Sequence, residues 1–317
     1  MLMLKRPARL FADLEVDAEP DAPLAPRTWL GVGGRADLLA RPRSADALAA
    51  IVARCSLEGI PLRVLGAGAN LLVADDGVDG VVVSLEAPAF RGSALNRGGR
   101  VEAARFFAGV DLQRAVIDTA RAGLGGLEGL AGIPATIGGA IRMNAGGVHG
   151  TVADRLHSVA CITRRGEIAT YAAADLDLSY RHSRLPDPII LSAAFRLEEA
   201  DPIALRRRVK EIMAHKRSTQ PLAESSAGCM FRNPIDPEDP ARRVSAGRLI
   251  DAAGLKGLSV GGASISPRHA NFVVVAPGAT ATDVLSLCDL VRQRVLEQHG
   301  VLLEREVVVW DRQGESR

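Results

Sequence analysis

Hydrophobic and polar positions along the chain alternate between a helical and a strand period. Residues 44–58 place apolar side chains at helical spacing behind Ser44, a natural N-cap, and Gly59 is the predicted stop. A second helix is predicted from about Leu112 to Ala122, ending at Gly123. Asp201-Pro202 reads as an N-cap followed by proline at the first helical position, and the basic helix behind it runs to about Arg217. An amphipathic pattern from Ala281 to His299 stops at Gly300. Pro61–Leu65, Leu71–Ala74, Val81–Leu85 and Val301–Trp310 are β-type runs, with turn chemistry at Asp76-Gly77 and Asp79-Gly80. The pattern changes near residue 201, from a β-rich half to a fresh α/β segment, which predicts a domain junction there.

Composition narrows this picture. A chain of 317 residues is expected to form about two domains. With 47% hydrophobic and 24% charged residues it has the material for a globular core, which excludes a mostly disordered chain. Aromatic residues make up only 3%, too few for a base-stacking nucleic-acid binder. The 39 basic and 37 acidic residues leave a net charge of +2, so no sustained field recruits DNA or a membrane surface. Lysine occurs only at Lys5, Lys210, Lys216 and Lys256, so the basic complement is almost all arginine, which suits bidentate pairing with phosphate or carboxylate. Cys55, Cys161, Cys229 and Cys288 show no paired spacing, which argues against a disulfide framework or a structural metal and for a reducing cytoplasm. No apolar run approaches a membrane span, and Met1–Phe11 reads as a loose leader without the apolar stretch of a secretory signal.

Glycine supplies the candidate chemistry. Gly66-Ala67-Gly68-Ala69-Asn70 follows a strand, but Leu71 stands where a dinucleotide fingerprint needs its third glycine, and strand-like sequence follows instead of a crossover helix. Successive N–H groups of such a turn form an anion-binding nest suited to a diphosphate. The stretch from Gly123 to Gly150 is denser still. It includes Gly132-Ile133-Pro134-Ala135-Thr136-Ile137-Gly138-Gly139-Ala140 and Met143-Asn144-Ala145-Gly146-Gly147, and its glycines argue against an ordinary helix interior. Either it is a plain surface loop, or its backbone closes on a bulky ligand where a Cβ would clash. No Gly-Lys pair, GxSxG or HExxH occurs.

Together these segments resemble the UDP-N-acetylenolpyruvoylglucosamine reductase (MurB) family. The resemblance begins at Thr28-Trp29-Leu30-Gly31-Val32-Gly33-Gly34-Arg35-Ala36-Asp37 and runs through the two glycine segments to Tyr180-Arg181-His182-Ser183. It resumes with Gln220-Pro221, Ser226-Ala227-Gly228-Cys229-Met230-Phe231-Arg232-Asn233-Pro234 and Ala246-Gly247-Arg248-Leu249-Ile250-Asp251. It ends with His269-Ala270-Asn271-Phe272 and Leu303-Glu304-Arg305-Glu306-Val307, all in family order over about residues 27–310. Two positions depart from the family pattern: Ala69 stands where a serine is common, and Cys229 replaces the usual catalytic serine, as it does in some members.

The resemblance implies an α+β fold, with an FAD-binding domain of two subdomains like that of vanillyl-alcohol oxidase (the PCMH type) and a C-terminal α/β substrate-binding domain. The boundaries expected are an N-terminal extension over 1–26, the FAD domain over 27–200 (subdomains about 27–90 and 91–200), the substrate domain over 201–300, and a C-terminal strand and tail over 301–317 that returns to the active site. It further implies tightly but non-covalently bound FAD, NADPH as reductant, and an enolpyruvyl ether of a UDP-sugar as substrate, in a cytoplasmic monomer with no nucleic-acid partner and no metal. Arg181 would pair with the substrate carboxylate, Cys229 would donate the proton, and Glu306 would stabilise the developing enolate, the three converging around the isoalloxazine ring. A free thiol, with an ordinary pKa of about 8.5, is the better acid beside a serine hydroxyl. The FAD contacts implied are Gly66, Ala67, Gly68, Ala69, Asn70, Leu71, Gly132, Pro134, Ala135, Gly138, Gly139, Asn144, Ala145 and Gly146. Tyr180, Lys216, Arg217, Gln220, Asn233 and Asn271 are the implied substrate contacts.

Each of these residues also has a plainer reading. Arg206 to Arg217 is most simply a solvated basic face, Glu306 an edge-strand charge, and a lone cysteine a small buried hydrophobe, which is the expectation for Cys55, Cys161 and Cys288. In a regular strand over 301–309, Glu304 and Glu306 would share a face, and only the motif selects Glu306. His269 reads as structural. The interval from Arg181 to Cys229 is too short for the family's additional tyrosine loop, which places the chain with the shorter members. A flavoprotein oxidase on the same FAD architecture, or an inactive nucleotide-binding module, are the competing functions. The residue set Arg181, Cys229 and Glu306 favours the reductase.

Overall fold

A computed structural model of the chain describes residues 10–96, 103–186, 189–236, 239–240 and 242–316. The fold is α+β and divides into two units. One comprises the chain up to Ala22 with Asp37–Ala67 and Gly80–His215; the other comprises Pro23–Ala36, Gly68–Asp79 and the chain from Lys216 onward. Both units are therefore discontinuous in sequence, unlike the contiguous boundaries expected. The dividing point near residue 215 also falls inside a single helix, Pro202–Thr219, and not at its start.

The first unit is built on a five-stranded antiparallel sheet ordered Ile168–Ala172, Leu156–Ile162, Ile189–Phe195, Ala104–Phe107, Ser93–Leu95. The Ile189–Phe195 strand is buried at every position, so both of its faces are covered. A four-stranded sheet, ordered Val16–Pro23, Arg35–Pro42, Val78–Ser84, Leu62–Leu65, holds a parallel pair between its last two strands. Helix Ala45–Leu57 precedes Leu62–Leu65 and buries Leu48, Ile51, Val52 and Cys55 at helical spacing, with Ser44 Oγ accepting from the Ala47 N–H at 3.1 Å. Helix Leu112–Ala122 is capped in the same manner, Asp111 accepting from Arg114 N–H at 2.8 Å. Phe106 and Phe195 meet edge to face, 6.1 Å between centroids, within this core.

Four expectations are corrected here. The stretch taken as a loose leader ends in Phe11, which is fully buried, and Arg54 grips Asp13 and the Leu10 carbonyl; Met1–Arg9 lie outside the described residues. Residues 16–23, assigned to an extension, form a sheet strand. Asp79-Gly80 is not a turn but part of strand Val78–Ser84. Gly80 sits there at φ +83, where a Cβ would overlap the Pro61 carbonyl oxygen, while Asp37 accepts its N–H at 3.1 Å. The glycine-rich stretch does contain a helix, Ile137–Arg142. Thr136 caps it, and buried Ile137, Ala140 and Ile141 offset the low propensity of Gly138 and Gly139.

In the second unit, helix Ala281–His299 buries Val284, Leu287, Cys288, Val291 and Val295, and packs on the small antiparallel sheet Ser259–Val260, Ala263–Ile265, Val273–Val275. A Thr280–Asp283 capping box starts this helix. Asp75, from the Gly68–Asp79 segment, adds three acceptor contacts: the N–H groups of Ala281 (2.8 Å) and Thr282 (2.9 Å), and the Thr282 hydroxyl (2.7 Å). The strand predicted over 301–310 is shorter, Val308–Asp311, pairing in parallel with Leu71–Val73 and antiparallel with Gly314–Ser316. Its upstream part pairs instead with residues 230–232, so the segment changes partner midway and no single ladder runs its length. Among the described residues no helix is long and apolar enough to cross a membrane, and no group of His, Cys, Asp or Glu is arranged to hold a metal.

Partial burial pushes the Asp75 carboxyl up, but its bonds to Thr282 and Ala281 outweigh this and hold it below the ordinary aspartate range. Asp75→Ala is expected to cost about 1 kcal/mol in urea unfolding at neutral pH. A depressed carboxyl stabilises above its unfolded pKa, so the wild-type advantage should disappear as pH falls through the lowered value. A difference between the two proteins that persists in strong acid would refute the assignment.

Candidate functional site

The turn Gly66–Asn70 joins strand Leu62–Leu65 to strand Leu71–Val73. Gly68 adopts φ +65, and a Cβ on it would overlap the Arg27 carbonyl oxygen, so the residue is required by the protein's own packing. None of the described residues accepts a hydrogen bond from the backbone N–H groups of residues 66–70. Within the first unit, Gly66 lies against the second glycine segment: a Cβ on it would come within 2.8 Å of Thr136 Oγ1. The N–H groups of Ala135 and Thr136 are likewise without an acceptor among the described residues. Gly66, Ala67, Ala135 and Thr136 thus bring unused donors together beside small side chains, and Gly66 is exposed. Unused N–H groups brought together in this way fit the diphosphate of FAD. Thr136 was not singled out in the sequence; its place as N-cap inside the Ile133–Ala140 motif was the available signal.

Other residues of the glycine stretch serve the protein itself. Asn144 is buried at φ 39, its Nδ2 donating to Ser179 O at 2.9 Å and its Oδ1 accepting from Ala153 N–H at 3.0 Å. Its amide thus ties two backbone segments together. Ala145 is buried, its N–H bonded to Ala140 O at 2.7 Å, and a Cβ on Gly146 would overlap Gly150 and Thr151. Leu71 is a buried strand residue. Gly138 lies against Ala108, to whose carbonyl it donates at 2.9 Å.

Asn144 also bears on Arg181. Tyr180 and Arg181 form the two-residue turn of a hairpin, Asp177–Ser179 with His182–Arg184. Arg181 holds φ +56, a left-handed conformation that disfavours a side chain of its size. Three bonds tie the hairpin down: Asn144 Nδ2 to Ser179 O, Arg181 Nη1 to Gly146 O (2.8 Å), and Ser183 Oγ to Arg142 O (2.7 Å). The guanidinium sits 5.2 Å from the Tyr180 ring centroid, a cation–π distance. One face of the guanidinium is thus covered and one nitrogen oriented, and the side chain remains half-exposed.

Cys229 and Glu306 meet through backbone pairing in the second unit. Residues 229–231 run antiparallel to 271–272, with a Cys229–Phe272 bridge and Met230 N–H donating to Asn271 O at 2.8 Å. On the other side Glu306 N–H donates to Met230 O at 2.8 Å, and Arg232 N–H to Glu304 O at 2.9 Å. Asn70 Nδ2 donates to Glu306 O at 3.3 Å. Cys229 is half-buried, whereas Cys55, Cys161 and Cys288 are buried, and burial pushes the Cys55 and Cys288 thiols up to about 12. Glu306 is 8% exposed, while Glu304 is exposed and pairs loosely with Arg232 at 3.6 Å. Alternation alone made the two glutamates equivalent; their environments separate them. Ser226, unselected in the sequence, is buried with a hydroxyl that finds no partner among the described residues.

The substrate candidates sort unevenly. Asn271 is 3% exposed and spends both amide functions on Phe231, Oδ1 accepting its N–H at 2.9 Å and Nδ2 donating to its carbonyl at 2.8 Å. It acts as a backbone clamp on Phe231. Asn233 Oδ1 accepts Ala246 N–H at 3.0 Å, at the start of helix Ala246–Ala252. Lys216 and Arg217 lie in the last turn of helix Pro202–Thr219, and Gln220 follows it. Arg268, missed in the sequence, reaches the carbonyls of Arg217 and Gln220 at 3.5 and 3.4 Å, a cation placed at a helix C-terminus. His269 packs edge to face on Phe272, 4.7 Å between centroids, and burial lowers its pKa, in keeping with a structural role.

Residues 36–172 match the model of an FAD binding domain, and residues 220–310 match that of the UDP-N-acetylenolpyruvoylglucosamine reductase C-terminal domain. The chain is 43% identical over 289 residues to the UDP-N-acetylenolpyruvoylglucosamine reductase of Heliobacterium modesticaldum, covering 90% of this chain and 88% of the relative. It is 42% identical over 301 residues to that of Geobacter metallireducens, covering 95% and 96%. The crystal structure of UDP-N-acetylenolpyruvylglucosamine reductase (MurB) from Thermus caldophilus superposes with a TM-score of 0.77 at 39% identity, over 93% of this chain and 99% of that one.

Two outcomes follow from the site. Brief iodoacetamide treatment of the native protein, read by peptide mass spectrometry, should modify Cys229 and spare Cys55, Cys161 and Cys288; equal labelling of all four would contradict the burial described. Asn271→Ala strips partners from a buried N–H and a buried carbonyl, and is expected to destabilise by about 2–4 kcal/mol in chemical denaturation. A loss below about 0.5 kcal/mol would show that the clamp is dispensable.

Proposed function

Since the chain belongs to the UDP-N-acetylenolpyruvoylglucosamine reductase family, we propose that it reduces the enolpyruvyl ether of UDP-N-acetylenolpyruvoylglucosamine to UDP-N-acetylmuramate, a step in peptidoglycan precursor synthesis. When bound, FAD would supply the redox chemistry, the relay of a hydride from NADPH to the terminal carbon of the double bond. The protein's own task is to manage the charge and the second proton. As the terminal carbon is reduced, the electron pair of the double bond shifts toward the substrate carboxylate. Arg181, permanently cationic and fixed at its hairpin turn, binds that carboxylate bidentately. Cys229 delivers a proton from its thiol to the adjacent carbon, and Glu306 supports the enolate from its buried position. Lys216, Arg217, Gln220, Asn233 and Tyr180 hold the UDP-sugar. The N–H groups of Gly66, Ala67, Ala135 and Thr136 hold the FAD diphosphate. The enzyme works as a cytoplasmic monomer, where its thiols stay reduced.

The observation that carries this reading is the pairing of the Cys229 segment with the Glu306 segment, which joins a half-buried thiol and a buried carboxyl that lie far apart in sequence. An oxidase needs no such proton donor. The purified protein should be yellow, lose its flavin absorbance on anaerobic addition of NADPH, and regain it with the enolpyruvyl sugar nucleotide. Protein that cannot take up FAD would end the reading. In Cys229→Ala, flavin reduction by NADPH should proceed while reoxidation by substrate slows by at least about 100-fold, the scale of a lost general acid. Cys229→Ser should restore much of that step. Unchanged reoxidation in the alanine variant would remove the thiol from the mechanism.

A further inference from the structure

The second unit contains a cavity of about 150 Å³ walled by Arg232, Arg292, Glu304 and Arg305. Three arginines line it with little to balance their charge. Arg232 approaches Glu304 only at 3.6 Å, and the Glu304 side chain is 75% exposed, so solvent screens the pair. Arg232 Nε is buried with no acceptor among the described residues. Arg292 spends Nε on Leu303 O at 3.0 Å and touches the exposed Asp289 at 3.4 Å. Arg305, half-buried, has no side-chain hydrogen bond or ion pair to any described residue. Like charges held together and a buried N–H left unpaired are both unfavourable, and one species removes both costs: a compact oxyanion with several acceptor lone pairs.

We propose that this cavity binds a small phosphoryl-class anion, with Arg232, Arg292 and Arg305 as its clamp. The volume accommodates a single phosphate group. The walls also explain what occupancy does. Arg232 N–H is bonded to Glu304 O, and Arg232 and Arg305 belong to the two paired segments that carry Cys229 and Glu306, while Arg292 comes from helix Ala281–His299. An anion gripped by all three ties the helix to both segments and stiffens their pairing. Binding itself does not rest on the reductase reading.

The test uses the full-length FAD-loaded protein, titrated with inorganic phosphate at constant ionic strength and read by calorimetry and by melting temperature. Saturable binding that raises the melting temperature is expected. Arg305→Gln removes no described side-chain contact within the protein and should weaken phosphate binding by about tenfold, the scale of one lost charge-assisted bond. Arg292→Gln, judged by its phosphate-dependent increment and not by its basal stability, should do the same. Arg294→Gln, on the exposed face of the same helix, should bind as wild type. Equal phosphate responses in wild type and Arg305→Gln would overturn the proposal as a general salt effect. Displacement of the phosphate by stoichiometric UDP would also overturn it, assigning the anion to the substrate diphosphate instead.

Discussion

The side-chain amide of Asn271 faces one neighbour with both of its functions, meeting the N–H and the carbonyl of Phe231 as a strand partner would. This pairing is what the second unit is organised around. Residues 229–232 have no long ladder of their own; they are held by single bridges to 271–272 on one side and 304–306 on the other. Short bridges are weak individually, and a buried amide that satisfies two backbone groups at once makes the middle segment stay extended. From that follows the placement of Cys229 at the edge of the buried region and of Glu306 within it. The same logic extends to Asn70, whose amide reaches the Glu306 carbonyl at the point where residues 304–308 change partner from one segment to another.

A parallel arrangement supports Arg181. Its positive φ is unfavourable for a long side chain, and the hairpin it tops is only three residue pairs long. Local propensity would not hold this conformation. Asn144, Gly146 and Arg142, all in or beside the glycine-rich stretch, supply the three anchoring contacts. In both units, then, a buried asparagine amide fixes the backbone beside a residue proposed to act on substrate. Backbone strain at such a position is tolerated because the surrounding bonds over-determine it.

The glycines act less as direct ligand contacts than as means of close approach between backbones. Gly68 admits the Arg27 carbonyl, Gly66 admits Thr136, and Gly146 admits Gly150 and Thr151. Beside the Gly66–Thr136 contact, the N–H groups of Gly66, Ala67, Ala135 and Thr136 have no acceptor among the described residues. A diphosphate fits where those groups gather.

The sequence by itself determined the helices Ala45–Leu57, Leu112–Ala122 and Ala281–His299, because capping residues and apolar spacing are local and act through adjacent turns. It determined the family through motifs in order, and the burial of three cysteines through the elements that carry them. It did not determine the discontinuous units, the shortened C-terminal strand, or the strand at Val16–Pro23, since each depends on a partner remote in the chain. Only the tertiary structure gave Glu306 and Glu304 different burial and showed Asn271 and Asn144 clamping backbone. An asparagine's hydrogen-bond partners are chosen by what packs beside it, and no periodicity along the chain records that choice.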